Sequence, residues 1–434
     1  MLISILIYPT IWLSKILYRL TLLTKRGSGT SLPGLFVEKY IPWILGYFNG
    51  KFDEIIMVTG TNGKTTTRAL IAHIYEANDV NIVTNRGGAN IFRGIASSLM
   101  LDVDIWGRTK SKTLILEVEE ATLPKLTMYI KPNKLIFTNI FRDQLDAYGE
   151  IDHTLDFFKN AIANCNKNLE IIINKDDTKL LTIIPPNKQV IFFGLGDDIQ
   201  KPNYEKNNTI VDIRSHPAFF ATKITSLSDN STNIEVQNGA NTYSINTLLP
   251  GNYNVYNVLA ALAVTYHKFG RNAFEPISYF QPVFGRGEEI QVGKAKFCMH
   301  LVKNPAGFDE VLNHIRSTNQ NSSISIAFLI NDNIADGKDM SWLWDINIEN
   351  FITNQKISQI HTSGQRGLDM MLRMEYAGAV VNIDNHYSNI ENMIDDFSKH
   401  NKVYYILSTY TALLKARSIL EQYTTLTKIT DSGN

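Results

Sequence analysis

The chain has little cysteine, no net charge and no long apolar run. Its only cysteines, Cys165 and Cys298, lie far apart with no CxxC spacing. A disulfide framework and a structural zinc site are therefore excluded, and a reducing compartment is the simplest reading. Forty-two Lys and Arg balance 42 Asp and Glu, so no basic coat for nucleic acid is present. The most apolar stretch, residues 1–13, is broken by Pro9 and is too short to span a bilayer. It also lacks the basic lead and small-residue cleavage site of a signal peptide. No internal repeat or low-complexity tract occurs. What remains is 44% apolar and 19% charged over 434 residues, a folded chain with room for two or three domains.

From Ile11 to Arg26 apolar residues recur at Trp12, Ile16, Leu20 and Leu23, with Lys15 and Arg19 on another face. Residues 11–26 read as a basic amphipathic helix. Such a helix lies in a membrane interface or packs on the protein's own core. The chemistry starts further on. Ile55-Ile56-Met57-Val58 reads as a buried strand, Gly60-Thr61-Asn62-Gly63-Lys64-Thr65-Thr66 follows, and Arg68-Ala69-Leu70-Ile71 begins a helical pattern. Strand, glycine turn and helix start make a phosphate cradle. Backbone N–H groups and the helix dipole face an anion, Lys64 adds a point charge, and Thr65 offers a hydroxyl to Mg²⁺. Val58 stands where the first glycine of the full G-x-x-x-x-G-K-[ST] pattern would be. An ordinary turn has no need of a lysine and three hydroxyls, so the stretch predicts nucleoside triphosphate binding.

Gly27–Ser31 is a flexible break, continued as a turn by Leu32-Pro33-Gly34. Strands are expected at Ile55–Val58, Asn81–Thr84, Thr113–Val118, Lys134–Thr138, Leu169–Ile173 and Gln189–Phe193, with amphipathic stretches between most of them. That alternation predicts a parallel sheet covered by helices. Residues 197–248 interrupt it with short alternating runs, Thr232–Gln237 and Thr242–Leu248, that read as antiparallel hairpins. After Pro250-Gly251 a strong helix covers Tyr253–Tyr266. The stretch FGRGEE before Ile290 reads as a linker. Beyond it, strands are expected at Ser323–Leu329, Lys356–Ile360, Ala379–Ile383 and Lys402–Leu407, separated by helices from Asp309, Asp369, Ile390 and Tyr410. The predicted fold is α/β: an N-terminal segment (1–48), a central P-loop parallel-sheet domain with a β-hairpin insertion (49–286), and a smaller C-terminal α/β domain (287–434).

Acidic residues follow three of the expected strands, as an ATP–Mg²⁺ site requires. They are Glu117, Glu119 and Glu120; Asp143 and Asp146; and Asp176 and Asp177. Each set alone would pass for a solvated loop, but three in succession after a phosphate loop point to one crevice. These residues resemble the Mur ligases and their ATP-dependent amide-forming relatives. The resemblance rests on Gly60–Thr66, Glu117, Thr138-Asn139, Asp143-Gln144-Leu145-Asp146, Asn174, Asp176-Asp177, Gly251–Asn257 and Gly285-Arg286. It implies that Lys64 holds the terminal phosphates, that Thr65 and Glu117 reach Mg²⁺, and that Asn254 and Asn257 lie near the adenine. Arg286 belongs to the same nucleotide site. Most of the family has a metal-holding histidine where this chain has Gln144, and an amide is the weaker ligand.

Within the family the chain is similar to the branch that amidates lipid II, the lipid-linked cell-wall precursor. Gly88-Ala89-Asn90, Phe141-Arg142-Asp143-Gln144, Lys303-Asn304-Pro305-Ala306-Gly307 and the run from Asn331 to Trp342 carry that likeness. The branch implies conversion of the stem-peptide D-glutamate α-carboxylate to D-isoglutamine, with ammonia from a separate glutaminase subunit. Neither Cys165 nor Cys298 has the glycine flanks of a nucleophile elbow, so this chain should carry no glutaminase. By resemblance Asp339 completes the partner's Cys–His triad; as a plain reading it caps the helix start at Met340-Ser341-Trp342, and Asp332 and Asp336 compete for the role. Many members of the branch carry a four-cysteine zinc ribbon, but the insertion 197–248 has no cysteine, so no zinc is expected. Only about fifty residues precede the phosphate loop, too few for the ~100-residue UDP-binding domain of other family members. That shifts residues 11–26 toward membrane contact and the chain toward the inner face of the cytoplasmic membrane. Two alternatives stay open: a folylpolyglutamate-type ligase that joins an amino acid to a carboxylate, and a catalytically weak scaffold for a glutaminase.

Overall fold

Apolar runs without alternation become strands buried on both sides, and amphipathic stretches become the helices that cover them. The computed structural model describes residues 2–24, 32–85, 89–141, 151–186, 188–202, 204, 218–227, 231–282, 285–320 and 322–423. Its larger sheet contains β1 (Glu54–Thr59), β2 (Ile82–Thr84), β3 (Thr113–Glu117), β4 (Lys134–Phe137), β5 (Glu170–Asn174), β6 (Gln189–Leu195), β7 (Ala218–Ser226), β8 (Thr232–Asn238) and β9 (Asn241–Thr247). They lie in the order β2-β3-β1-β4-β5-β6-β7-β8-β9. β1 is flanked by parallel β3 and β4, with Val58 opposite Glu117 on one side and Ile136 on the other. Ile55 and Met57 enter one core cluster, Ile56 and Val58 the other. That double burial is why β1 reads as an unbroken apolar run.

The expected hairpin is there as β8 and β9, but the insertion forms no separate unit. β7, which sequence reading passed over, pairs parallel with β6 and antiparallel with β8, so the insertion extends the central sheet. Its stretch AFFATKITS alternates only at Phe219 and Ala221 before turning polar and exposed.

The second sheet contains β10 (Arg286–Val292), β11 (Ala295–Leu301), β12 (Ile324–Leu329), β13 (Ile357–Ser363), β14 (His386–Tyr387) and β15 (Val403–Ser408). Their order is β10-β11-β15-β12-β13-β14. Two expectations need correction. Arg286–Glu289, read as linker, already form the start of β10 and pair with β11. Ala379–Ile383, read as a strand, is not one; after Gly378 at φ 90° the chain is irregular, with Val380 97% exposed. An apolar run makes a strand only where a neighbour receives its hydrogen bonds, and the sheet edge here is two-residue β14.

The N-terminal helix α1 (Leu2–Thr24), which precedes the short helix α2 (Leu32–Tyr40), passes straight through Pro9, where a break was expected. Pro9 is on the exposed side, where water can meet the carbonyl it leaves without a donor. Ile7 and Ile11 bury against the core that holds Phe48 and Leu99. The seam Trp12, Ile16 and Leu20 points outward instead. Lys15 turns inward and donates to Leu101 O at 3.1 Å. Residues 25 and 26, the end of the expected amphipathic stretch, lie outside the described residues.

Candidate active site

The loop between β1 and helix α3 (Lys64–Ala77) turns on Gly60 at φ 124° and Gly63 at φ 85°, backbone that side chains disfavour. Space is as restrictive as angle. A Cβ on Gly60 would lie 2.3 Å from Thr138 Oγ1, and one on Gly63 2.3 Å from Asn257 Oδ1. The end of β4 clamps the loop: Asn139 O accepts Thr61 N at 3.0 Å, Asn139 Oδ1 accepts Asn62 N at 2.8 Å, and Thr138 Oγ1 donates to Asn62 O at 2.7 Å. The rigid turn delivers the first turn of α3, whose N–H groups have no acceptor within the helix, to one point. Gly63→Ala should cost about 1–3 kcal/mol and weaken nucleotide binding, read as lower unfolding temperatures without and with ATP.

Lys64 is buried inside a carboxylate cluster. Its Nζ donates to Gly60 O at 2.6 Å and to the Glu120 oxygens at 3.1 and 3.2 Å, with Glu119 at 3.9 Å. Asn90 Nδ2 bridges Glu117 Oε1 at 3.2 Å and Glu119 Oε2 at 3.0 Å. Arg68 Nε stands 4.0 Å from Glu117 Oε2. Burial pushes the Glu120 carboxyl up to about 8, with Lys64 pulling the other way. Near neutrality Glu120 can therefore take a proton and release Lys64 to an arriving phosphate. Thr65, next to Lys64 in the chain and half-buried, carries a hydroxyl, and hydroxyl and carboxylate oxygens are hard donors that suit Mg²⁺. Among the described residues no group of three or more His, Cys, Asp or Glu is placed to hold an ion unaided.

A cavity opens from this loop toward the second sheet. Asn62, Gly63, Thr66 and Asn257 line it from the larger-sheet domain, and Arg286, His300, Lys303, Asn304 and Glu310 from the second. Phe141 and Tyr204 stack in its wall with centroids 5.1 Å apart, an aromatic surface for a planar base. Asn62 and Asn304 exchange side-chain amide bonds at 3.1 and 3.3 Å and tie the phosphate loop to the C-terminal domain. Asn257 lines the cavity and accepts from Thr67 Oγ1. Asn254 does not; it donates to Pro250 O and accepts from Asn257 Nδ2, so it positions its neighbour. Burial pushes Glu310 up to about 7, with nearby Asp309 adding to the shift. An acid raised in the fold binds its proton more tightly than the unfolded chain does, so its contribution to stability falls as pH rises toward 7. Relative to the parent, Glu310→Gln should therefore gain about 1 kcal/mol between pH 5 and pH 8, measurable by denaturant unfolding.

The third acidic set serves structure. Asp177 Oδ2 accepts Ile140 N, and Asp176 Oδ2 accepts Leu195 N and Tyr256 OH. Gly88, Asp143, Gln144 and Asp146 lie outside the described residues. Sequence reading placed Glu120 only within an acidic set, and gave no role to Asn90 or Tyr204. The first two stood in quoted motifs; Tyr204 carried no signal.

Known proteins fit this geometry. Residues 58–265 match the Mur ligase middle domain and residues 301–413 the MurT ligase C-terminal domain. The MurT subunit of the glutamine-hydrolysing lipid II isoglutaminyl synthase of Streptococcus pneumoniae is 30% identical over 430 residues, covering 92% of this chain and 94% of that protein. The chain belongs to the MurT branch of the Mur ligase family. It is an ATP-dependent ligase. The corresponding Staphylococcus aureus subunit is 28% identical over 382 residues, 82% of this chain and 84% of that one. MurF ligase of Thermotoga maritima, solved with ADP, shares the fold: TM-score 0.66 at 12% identity over 88% of this chain and 82% of that one.

In the domain that matches the MurT C-terminal description, the three competing aspartates separate clearly. Asp336 is buried and accepts from Thr411 N, Thr411 Oγ1 and Asn333 N. Asp332 pairs with Arg366 at 2.9 Å. Asp339 is exposed; its Oδ1 accepts Ser341 N at 2.8 Å, a bond that also holds the carboxyl below its ordinary range. The turn that follows it, Ser341–Trp344, meets a helix that leaves apolar surface uncovered. Leu368, Leu372 and Tyr376 form an exposed stripe on helix Gly367–Tyr376, Trp344 meets Tyr376 at 5.5 Å, and Ile334 is 90% exposed. The two thiols are inert by contrast. Burial pushes Cys165 up to about 11 and Cys298 up to about 12.

Proposed function

We infer that this ligase amidates the D-glutamate α-carboxylate of the lipid II stem peptide to D-isoglutamine, at the inner face of the cytoplasmic membrane. The observation that carries the reading is Lys64 sheathed in carboxyls at the bend of a rigid phosphate loop, whose Asn62 and Gly63 line a cavity walled by an aromatic pair. The substrate carboxylate attacks the γ-phosphorus of ATP, the bond to the ADP oxygen breaks, and an acyl phosphate forms. Lys64 moves from Glu120 to the transferring phosphoryl oxygens, where its charge counts most in the transition state. Thr65 and Glu117 would hold Mg²⁺, which neutralises phosphate charge when bound. Ammonia attacks the acyl carbon, phosphate leaves with the bond's electrons, and one proton is lost. Closure across the Asn62–Asn304 contact keeps water from the acyl phosphate.

The ammonia comes from a separate glutaminase subunit, since both thiols here are too basic to serve as nucleophiles. The exposed apolar face of helix Gly367–Tyr376 and Trp344 is where that subunit docks, and the Asp339 carboxylate orients its histidine. Leu372→Ser with Tyr376→Ser should weaken the two-subunit complex about 10–100-fold, read by sedimentation or calorimetry.

The test of the whole reading is to supply the paired subunits with ATP, glutamine and lipid II and to look for the carboxamide by mass spectrometry. ADP formation that depends on an added amino acid, and not on ammonium or glutamine, would assign the chain to amino-acid addition instead.

A further inference from the structure

Two separate segments build one exposed apolar face far from the phosphate loop in sequence. On α1, Tyr8, Trp12 and Ile16 follow at helical spacing along the outer side, the last two 46% and 55% exposed. The loop after helix α4 (Phe92–Asp102) brings Ile105 and Trp106 beside them, because Trp12 Nε1 donates to Ile105 O at 2.8 Å. Both loop residues are more than half exposed. The face is stiffened from behind: Asp104 Oδ1 accepts Trp106 N and Arg108 N, each at 2.8 Å, and Tyr47 OH donates to Gly107 O at 3.0 Å.

The helix is inverted relative to one that faces water. Thr10 and Ser14 are buried with Ile7 and Ile11, while a tryptophan and an isoleucine are left outside. α1 contains no Asp or Glu. Arg19 lies on its exposed side, and exposed Arg108 and Lys110 follow Trp106. Exposed Asp102 and Asp104 lie beside the same loop, but Arg19, Arg108, Lys110 and half-buried Lys15 outnumber them. The rings therefore sit in a surface of net positive charge that fits anionic lipid, with the rings at headgroup depth and the cations at the phosphates. A second copy of the same face would instead set one acid-free helix against another. No helix among the described residues is long and apolar enough to cross a membrane, so the contact is peripheral.

We propose that the face formed by Tyr8, Trp12, Ile16, Ile105 and Trp106 docks the protein on anionic phospholipid. The lipid-borne substrate of the proposed function gives such docking a purpose, but the surface does not depend on that reading. The full chain with its glutaminase subunit is mixed with vesicles of phosphatidylglycerol and phosphatidylcholine, or of phosphatidylcholine alone, and bound protein is measured by flotation. Binding to the anionic vesicles is expected, at least about tenfold weaker on the neutral ones and about tenfold weaker again in Trp12→Ser/Trp106→Ser. Arg108→Glu/Lys110→Glu should lose the preference for anionic lipid while keeping the parent's unfolding temperature. No flotation, flotation that the substitutions leave unchanged, or a dimer that the tryptophan substitutions dissociate would each overturn the proposal. A protein that amidates lipid II in detergent yet ignores vesicles would refute this surface alone. One that floats yet forms no amide would refute only the function.

Discussion

Lys64→Ala should lower ATP-dependent amidation about 10²–10³-fold while leaving the chain folded at pH 7. The size of the loss follows from removing one preorganised charge at the transferring phosphoryl group, worth roughly 3–4 kcal/mol in comparable sites. The survival of the fold follows from Glu120. Burial already lifts its carboxyl to about 8, so at neutral pH the residue left behind can carry a proton and avoid being a bare buried charge. Stability of the variant should then fall as pH rises from the unfolded carboxylate range toward the folded value, which loss of Lys64 raises further, and level off above it. Turnover by single-step kinetics and unfolding by denaturant at pH 7 and pH 9 measure the two effects separately. Amidation unchanged by the substitution would make the catalytically weak scaffold the better account.

Asp339→Asn should depress glutamine-driven amidation about 10³–10⁴-fold and leave ammonium-driven amidation nearly untouched. Asparagine still accepts the Ser341 N–H that Asp339 Oδ1 accepts now, so a capping role would survive the change. Only the charge is lost, and the charge is what holds and stabilises a partner imidazole during proton transfer. The ratio of the two nitrogen sources therefore separates a triad member from a cap. Equal loss with both sources would point to damage in the C-terminal fold. Asp336→Asn supplies that contrast, since Asp336 is buried under three donors that tie its loop to Thr411 and Asn333.

Much of the fold was legible because its strands are buried on both sides and its phosphate loop is compact in sequence. The residues from Ile55 to Thr66 contain strand, turn and helix start without reference to anything distant. Pairing is less local. β7 and the false strand at Ala379–Ile383 were misread in opposite directions, since neighbours decide whether a run joins a sheet. The outward seam of α1 was visible as a pattern, but which side it faced depended on Ile7 and Ile11 finding the core. In the site, Lys64 and Glu117 could be named from motif chemistry. Glu120 as the lysine's resting partner, and Asn254 as a support for Asn257, required distances that only the folded chain supplies.

The most direct measurement follows the oxygen atoms. If the substrate carboxylate takes up the γ-phosphoryl group, lipid II labelled with heavy oxygen in that carboxyl should pass one labelled atom to inorganic phosphate for each amide formed. Amide formation with unlabelled phosphate would contradict phosphoryl transfer to the carboxyl group.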